Sequence, residues 1–173
     1  MAHVKDGLDM ADRLSLPPIL RQFIAEHHGT TLLEYFYRQA VRQQQASRGQ
    51  APLEADYRYT GPKPRSRETA IVMLSDAVEG ATRSQADRSA PKVQATVHEI
   101  VMKRLLDGQL DTSGLTLTDL RTIEETLTKT LLSVYHGRVA YPAGPQTPGA
   151  GGAKPVAPGA AAGQGASNPA EPK

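Results

Sequence analysis

Ala70-Ile71-Val72-Met73-Leu74-Ser75-Asp76-Ala77-Val78 is the most continuously apolar run of the chain. It is apolar on nearly all sides of a helix running from about Ser66 to Arg83, which predicts the central buried helix of an all-α domain. Its neighbours carry one-sided stripes instead. Downstream, Ser89 is placed to cap a helix with Pro91 in its first turn; Val93, Val97, Ile100, Val101 and Leu105 face inward and Gly108 stops it. Thr116 and Asp119 form a pair resembling a capping box, opening a last helix with Leu117, Leu120, Ile123, Leu127, Leu131 and Val134 inward. Upstream, Leu8, Ala11, Leu14 and Leu16 suggest a short first helix. Pro17-Pro18 suit the first turn of a second, whose stripe Ile19, Leu20, Phe23, Ile24 runs into His27-His28-Gly29. Thr30 or Thr31 is expected to cap a third, burying Leu32, Leu33, Tyr35, Phe36 and Ala40. Residues 49–65, with Gly49, Pro52, Gly61, Pro62 and Pro64, read as a long loop.

Composition bounds the function. The 173 residues hold one domain with a real core. A net charge of +2 is too small for a nucleic-acid polymer to be the partner on bulk electrostatics. The absence of cysteine excludes disulfides, thiolate metal sites and cysteine nucleophiles. No signal peptide or run of about 20 apolar residues is visible, so the chain reads as cytoplasmic, without direct membrane insertion. Residues 143–173, rich in Gly, Ala and Pro with almost no large apolar side chain, read as a disordered tail. Nucleophile-elbow, P-loop and dinucleotide-binding fingerprints are absent.

Chemistry is concentrated in few residues. Imidazole is the commonest side-chain metal ligand, and adjacent imidazoles diverge by about 100° on a helix, so His27 and His28 can serve two neighbouring ions. The competing reading places the pair at a helix C-terminus, where imidazolium suits the dipole. Asp76 is costly to bury unless paired with an arginine, used as a cap, or bound to a cation. His3 completes the candidate set; His98 and His136 read as surface residues.

An ordered set of blocks carries a resemblance. These are His3-Val4-Lys5-Asp6-Gly7, Ile24 to Thr31 with Tyr35-Phe36-Tyr37, Tyr57 to Pro64, Ala70 to Glu79, Asp107-Gly108-Gln109-Leu110 and Tyr135 to Pro142. Residues 3–142 thereby resemble the C-terminal part of the cytosolic HD domain of seven-transmembrane HD hydrolases, the PgpH-like cyclic-di-AMP phosphodiesterases. The resemblance implies an HD-type helical bundle over 1–142, incomplete at its N-terminus. It further implies two divalent metal ions, iron or manganese, held in part by His3, His27, His28 and Asp76. The implied reaction is metal-dependent hydrolysis of cyclic-di-AMP to pApA. Arg58, Lys63 and Arg83 are candidate phosphate contacts, and Tyr57 or Tyr59 a candidate stacking surface for adenine.

The pattern departs from the family in one respect. The family's first His and its His-Asp pair would precede His3, and no His-Asp dipeptide occurs in this sequence. The expectation is a fragment of a membrane-anchored inner-membrane protein, inactive alone, whose partners are the cyclic dinucleotide and the parent's N-terminal HD half and transmembrane region. The alternatives are a non-catalytic helical module that completes a site in trans, and a domain that senses ligand without hydrolysis.

Overall fold

The computed structural model describes residues 2–47 and 50–136. The helices are α1 (Ala2–Arg13), α2 (Pro18–Glu26), α3 (Glu34–Ser47), α4 (Arg67–Ser84), α5 (Ala90–Leu106) and α6 (Leu117–His136), with a short 3-10 turn at Glu54–Tyr57. Apart from an isolated antiparallel bridge between Leu32 and Arg58, the regular structure of the described residues is helical, as the periodicity requires. The Gly137 to Pro142 part of the resemblance, the expected tail at 143–173 and the side chain of His136 lie outside the described residues.

The core forms where α4 packs on α5 and α6. Ala70, Met73, Leu74 and Val78 of α4 meet Val93, Val97 and Val101 of α5 and Leu120 and Leu131 of α6, with Leu110 closing one end. Each large side chain buried there contributes about 1.5–3 kcal/mol. On another side α4 meets α2, which in turn carries α1.

Local chemistry sets the helix starts. Ser66 and Thr69 form a reciprocal capping box at α4. At α6 the Thr116 backbone N–H donates to Asp119 Oδ2 (2.8 Å) while the Asp119 N–H donates to Thr116 Oγ1 (3.1 Å). The shorter Asp thus closes the box that Glu usually closes. Ser89 precedes α5 but makes no side-chain cap bond; Pro91 in the first turn removes one N–H that would have needed a partner.

Several expectations from the stripes fail. Thr30 and Thr31 do not cap α3. Thr30 ends the turn after α2, and Thr31 opens the short segment in which Leu33 N–H donates to the Tyr57 carbonyl (2.8 Å) and Tyr59 N–H to the Thr31 carbonyl (3.0 Å). Tyr35 and Phe36 are exposed because α3 packs on the 3-10 turn rather than on the core helices. Leu117 and Val134, at the ends of α6, overhang the core and are exposed, as is Leu14 at the end of α1. Ile19, Leu20, Ile71 and Val72 also lie open. Helix α4 therefore has one buried face and one open face, not burial all round. Asp76 sits on the open side, its side chain 54% exposed, so no burial penalty has to be met there.

Candidate metal centre

His27 follows the last residue of α2 and still has helical backbone angles. Its Nδ1 lies 2.9 Å from the Ile24 carbonyl. A carbonyl only accepts, so Nδ1 carries the proton and Nε2 keeps its lone pair free. His28 comes next, and Gly29 then turns the chain at φ +54°. That turn is crowded. A Cβ on Gly29 would stand 2.5 Å from Gln109 Oε1 and 2.6 Å from Met73 Cε. Gly29→Ala is expected to cost about 2–4 kcal/mol, combining left-handed backbone strain with overpacking, as a fall in the urea midpoint.

Two buried polar residues hold this corner, and sequence reading singled out neither. Glu26, fully buried, accepts hydrogen bonds from the Arg65 backbone N–H (2.9 Å), Arg65 Nε (2.7 Å), Thr69 Oγ1 (2.8 Å) and Gln22 Nε2 (3.2 Å). Burial pushes its carboxyl up, but these donors outweigh burial and leave the pKa below the ordinary glutamate value. The end of α2 is thereby tied to the start of α4. Gln109, also fully buried, accepts from the Thr30 N–H (2.9 Å) and donates to Thr30 Oγ1 and Asp107 Oδ2, both at 2.9 Å. The Glu26-His27-His28 and Asp107-Gly108-Gln109 blocks were visible as sequence, but nothing local marked their polar members as buried.

His3 arrives from α1. One turn further on, Gly7 allows α1 close to α2: a Cβ there would be 3.0 Å from Ile24 Cγ2. His3 Nε2 stands 2.9 Å from His28 Nε2, and one ring nitrogen from each of His3, His27 and His28 falls within 4.8 Å of the others. Asp76 Oδ2 lies 3.8 Å from His28 Nδ1. The three histidines thus come together from α1 and the α2 corner, and Asp76 reaches from α4 to the other ring nitrogen of His28.

The electrostatics suit a cation. Burial lowers the His28 pKa to about 4, helped by neighbouring His27 and opposed by Asp76. A neutral imidazole is the ligating form. Three imidazoles at mutual distances of a few ångströms match the ligand spacing around one ion with metal–nitrogen bonds of about 2.0–2.1 Å, as for zinc. The three histidines therefore fit a metal ion, and Asp76 is the carboxylate beside them, against the other ring nitrogen of His28.

Tyr59 packs its ring on His28, centroids 4.4 Å apart and 24° from parallel, and meets His3 edge-on. A cleft of about 430 Å³ opens beside them, lined in part by Val4, Lys5, Leu8, His28, Tyr59 and Thr60. Tyr57 turns instead to Tyr37.

The candidate phosphate contacts have other bonds. Arg58 grips both oxygens of Asp107 (2.8 and 3.0 Å), Glu54 (2.6 and 2.9 Å) and the Thr30 carbonyl (2.8 Å). Hydrogen bonds to Asp107 and Glu54 raise its pKa, and those from Arg58 lower that of Asp107. Lys63 donates to the Gly108 carbonyl (2.8 Å). Arg83 is exposed and pairs with Glu79 one turn back on α4. His98 is a surface residue paired with Glu124, as expected.

No protein-family model matches the chain. It is 38% identical over 142 residues to the cyclic-di-AMP phosphodiesterase PgpH of Listeria monocytogenes and 37% identical over the same length to PgpH of Bacillus subtilis. It is 43% identical over 141 residues to an uncharacterised protein of Synechocystis. Each match takes in 81–82% of this chain, which spans less than a fifth of the relatives' length, 17–19%. Among solved structures, the HD domain of L. monocytogenes PgpH superposes with a TM-score of 0.70 at 38% identity, covering 78% of this chain and 61% of that one. The same domain solved in complex with cyclic-di-AMP gives 0.70 at 36% identity. With sequence and fold agreeing over about four-fifths of its length, the chain is homologous to the HD domain of the PgpH cyclic-di-AMP phosphodiesterases.

Proposed function

We propose that this chain supplies one side of a metal-dependent phosphodiesterase centre that hydrolyses cyclic-di-AMP to pApA. The observation that carries the reading is the meeting of the His3, His27 and His28 rings, with Asp76 against His28, in a chain homologous to a domain solved with cyclic-di-AMP bound. His3, His27, His28 and Asp76 would hold two divalent ions, iron or manganese. When bound, such ions supply a water activated at neutral pH and offset charge on the phosphate oxygens. The chain's own residues orient. The Ile24 carbonyl fixes the His27 tautomer, Glu26 and Gln109 hold the corner, and Tyr59 presents a ring beside the cleft, where an adenine stacks.

The remaining ligands, a His and a His-Asp pair, come from a helical segment outside this sequence. Each helix that supplies a ligand also shows an exposed apolar residue on the ligand's own face. Met10 lies seven residues from His3, Leu20 seven before His27, and Val72 four before Asp76. A docking helix that covers these three side chains passes over the ligands. This matches the larger size of the solved PgpH HD domain, of which the chain covers 61%. In this reading the parent is membrane-anchored and its HD domain faces the cytosol; among the described residues no helix is long and apolar enough to cross a membrane.

The test is a chimera joining this chain to the part of the Listeria HD domain that it does not match. Loaded with Mn(II), the chimera is expected to convert cyclic-di-AMP to pApA, while the chain alone binds metal without turnover. Loss of product with Asp76→Asn completes the expected result. A metal-loaded chimera that leaves cyclic-di-AMP intact would favour a non-catalytic interaction module.

A further inference from the structure

Arg58 meets Asp107 fork to fork. Two N–H bonds run from the guanidinium to the two carboxylate oxygens, at 2.8 and 3.0 Å. Many half-exposed ion pairs contribute little, but a bidentate arginine–carboxylate pair fixes geometry as well as energy. Asp107 is the C-cap of α5, a helix that carries no candidate ligand.

Two paths lead from this pair to the histidine cluster. The first runs through the next residue. Arg58 has extended backbone angles, and successive side chains leave an extended segment on opposite sides. With Arg58 turned to the end of α5, Tyr59 is turned the other way, where its ring stacks on His28 with centroids 4.4 Å apart. The second path runs through Thr30, two residues past His28. Arg58 donates to the Thr30 carbonyl (2.8 Å). Gln109, which donates to Asp107 Oδ2 (2.9 Å), accepts from the Thr30 N–H (2.9 Å). Backbone bonds fasten residues 31–33 to 57–59, and the Asp107 carboxylate ties the fastened pair to α5. One side chain thus anchors both segments that bear the stacked rings.

We propose that Asp107 is a positioning residue of the centre: acting through Arg58, it sets the Tyr59 ring against His28 and so governs how tightly the site holds a nucleobase. The ligand class rests on the phosphodiesterase reading; the placement of the ring does not.

The test compares the chain with Asp107→Asn, Arg58→Lys and Tyr59→Leu. Asparagine keeps the shape of Asp107 but turns an amide donor toward the donors of Arg58 or Gln109, and lysine keeps the charge of Arg58 but loses the fork. In the metal-free chain the ring current of Tyr59 shifts the His28 ring protons upfield. That shift is expected to vanish in Tyr59→Leu and to shrink in both Asp107→Asn and Arg58→Lys, with helix content and Mn(II) content unchanged. In the Mn(II)-loaded chain, cyclic-di-AMP is expected to bind about fivefold or more weakly in Asp107→Asn, the lower end of what a base–aromatic stack contributes. Inorganic phosphate, which has no base to stack, binds as before. Adding Asp107→Asn to Tyr59→Leu brings no further loss, because the carboxylate acts through the ring. An unaltered His28 shift in Asp107→Asn, a parallel loss of Mn(II), weakened phosphate binding, or fully additive losses would each overturn the assignment. A reduced shift, with no cyclic-di-AMP bound even by the unsubstituted chain, leaves Asp107 as the residue that positions Tyr59 and removes the substrate reading.

Discussion

His28→Ala is expected to weaken Mn(II) binding by more than about 100-fold, because even the outer partners of a ligand are worth about 10–100-fold. His28 is the hinge of the cluster. One ring nitrogen is 2.9 Å from His3 and the other 3.8 Å from Asp76, so the imidazole joins the ligand from α1 to the one from α4. Removing it separates the remaining donors into His3 with His27 on one side and Asp76 alone on the other. Its side chain is only partly buried and is not a member of the hydrophobic core cluster, so helix content should not change. His98→Ala is the control: that ring is exposed and pairs with Glu124, away from the cluster. Elemental analysis after desalting decides the matter. Metal content equal to that of the unsubstituted chain in His28→Ala would end the metal assignment.

Glu26→Ala is expected to lower stability by about 2–6 kcal/mol, about 1–3 for each of two inward-facing donors left without an acceptor, the Arg65 backbone N–H and the Thr69 hydroxyl. The fully buried carboxylate satisfies the Arg65 backbone N–H, the Arg65 guanidinium, Thr69 and Gln22 together, and alanine leaves the inward-facing donors unmet. Glu26→Gln keeps the volume but replaces an acceptor by a donor, for a smaller loss of about 1–3 kcal/mol. The pH dependence has a definite sign. The folded-state pKa is lowered, so the unfolded chain binds the proton more readily. The stabilisation is complete above the unfolded glutamate value and is lost as pH falls through the folded value. Urea midpoints should therefore drop below the ordinary glutamate range in the unsubstituted chain, and less steeply in Glu26→Gln. Because Glu26 directly precedes His27, Glu26→Ala should also weaken metal binding. An unchanged midpoint for Glu26→Ala would show that the buried network contributes nothing to stability.

The helices were legible because their signals are local. Ser66 with Thr69, Thr116 with Asp119, and the prolines at 17, 18 and 91 act within one or two turns, and α2, α4, α5 and α6 begin within a residue or two of where these signals place them, whereas α3 starts three residues past Thr31. Burial was less legible. A stripe such as Ile19-Leu20, or the Tyr35-Phe36 pair, says that a face is apolar and not what lies against it. The uniform apolarity of α4 implied burial all round, yet Ile71, Val72 and Asp76 share its open side.

The candidate ligands were also legible as residue types in an ordered set of blocks. Their supports were not. Glu26 and Gln109 look like ordinary surface residues until Arg65, Thr69 and Thr30 are brought to them from 39, 43 and 79 positions away. Arg58 and Lys63 read as free loop cations until Asp107 and the Gly108 carbonyl occupy them.

The helical class, the starts of α2, α4, α5 and α6 and the identity of the side chains able to ligate could be read from the chain alone, because propensity, capping and donor chemistry belong to single residues and their near neighbours. Tertiary structure alone decided that His3 would stand against His28 and that Asp76 would lie open beside them. Those outcomes depend on how separate helices pack, and a side chain's role is settled by groups that the chain brings to it from far along its length.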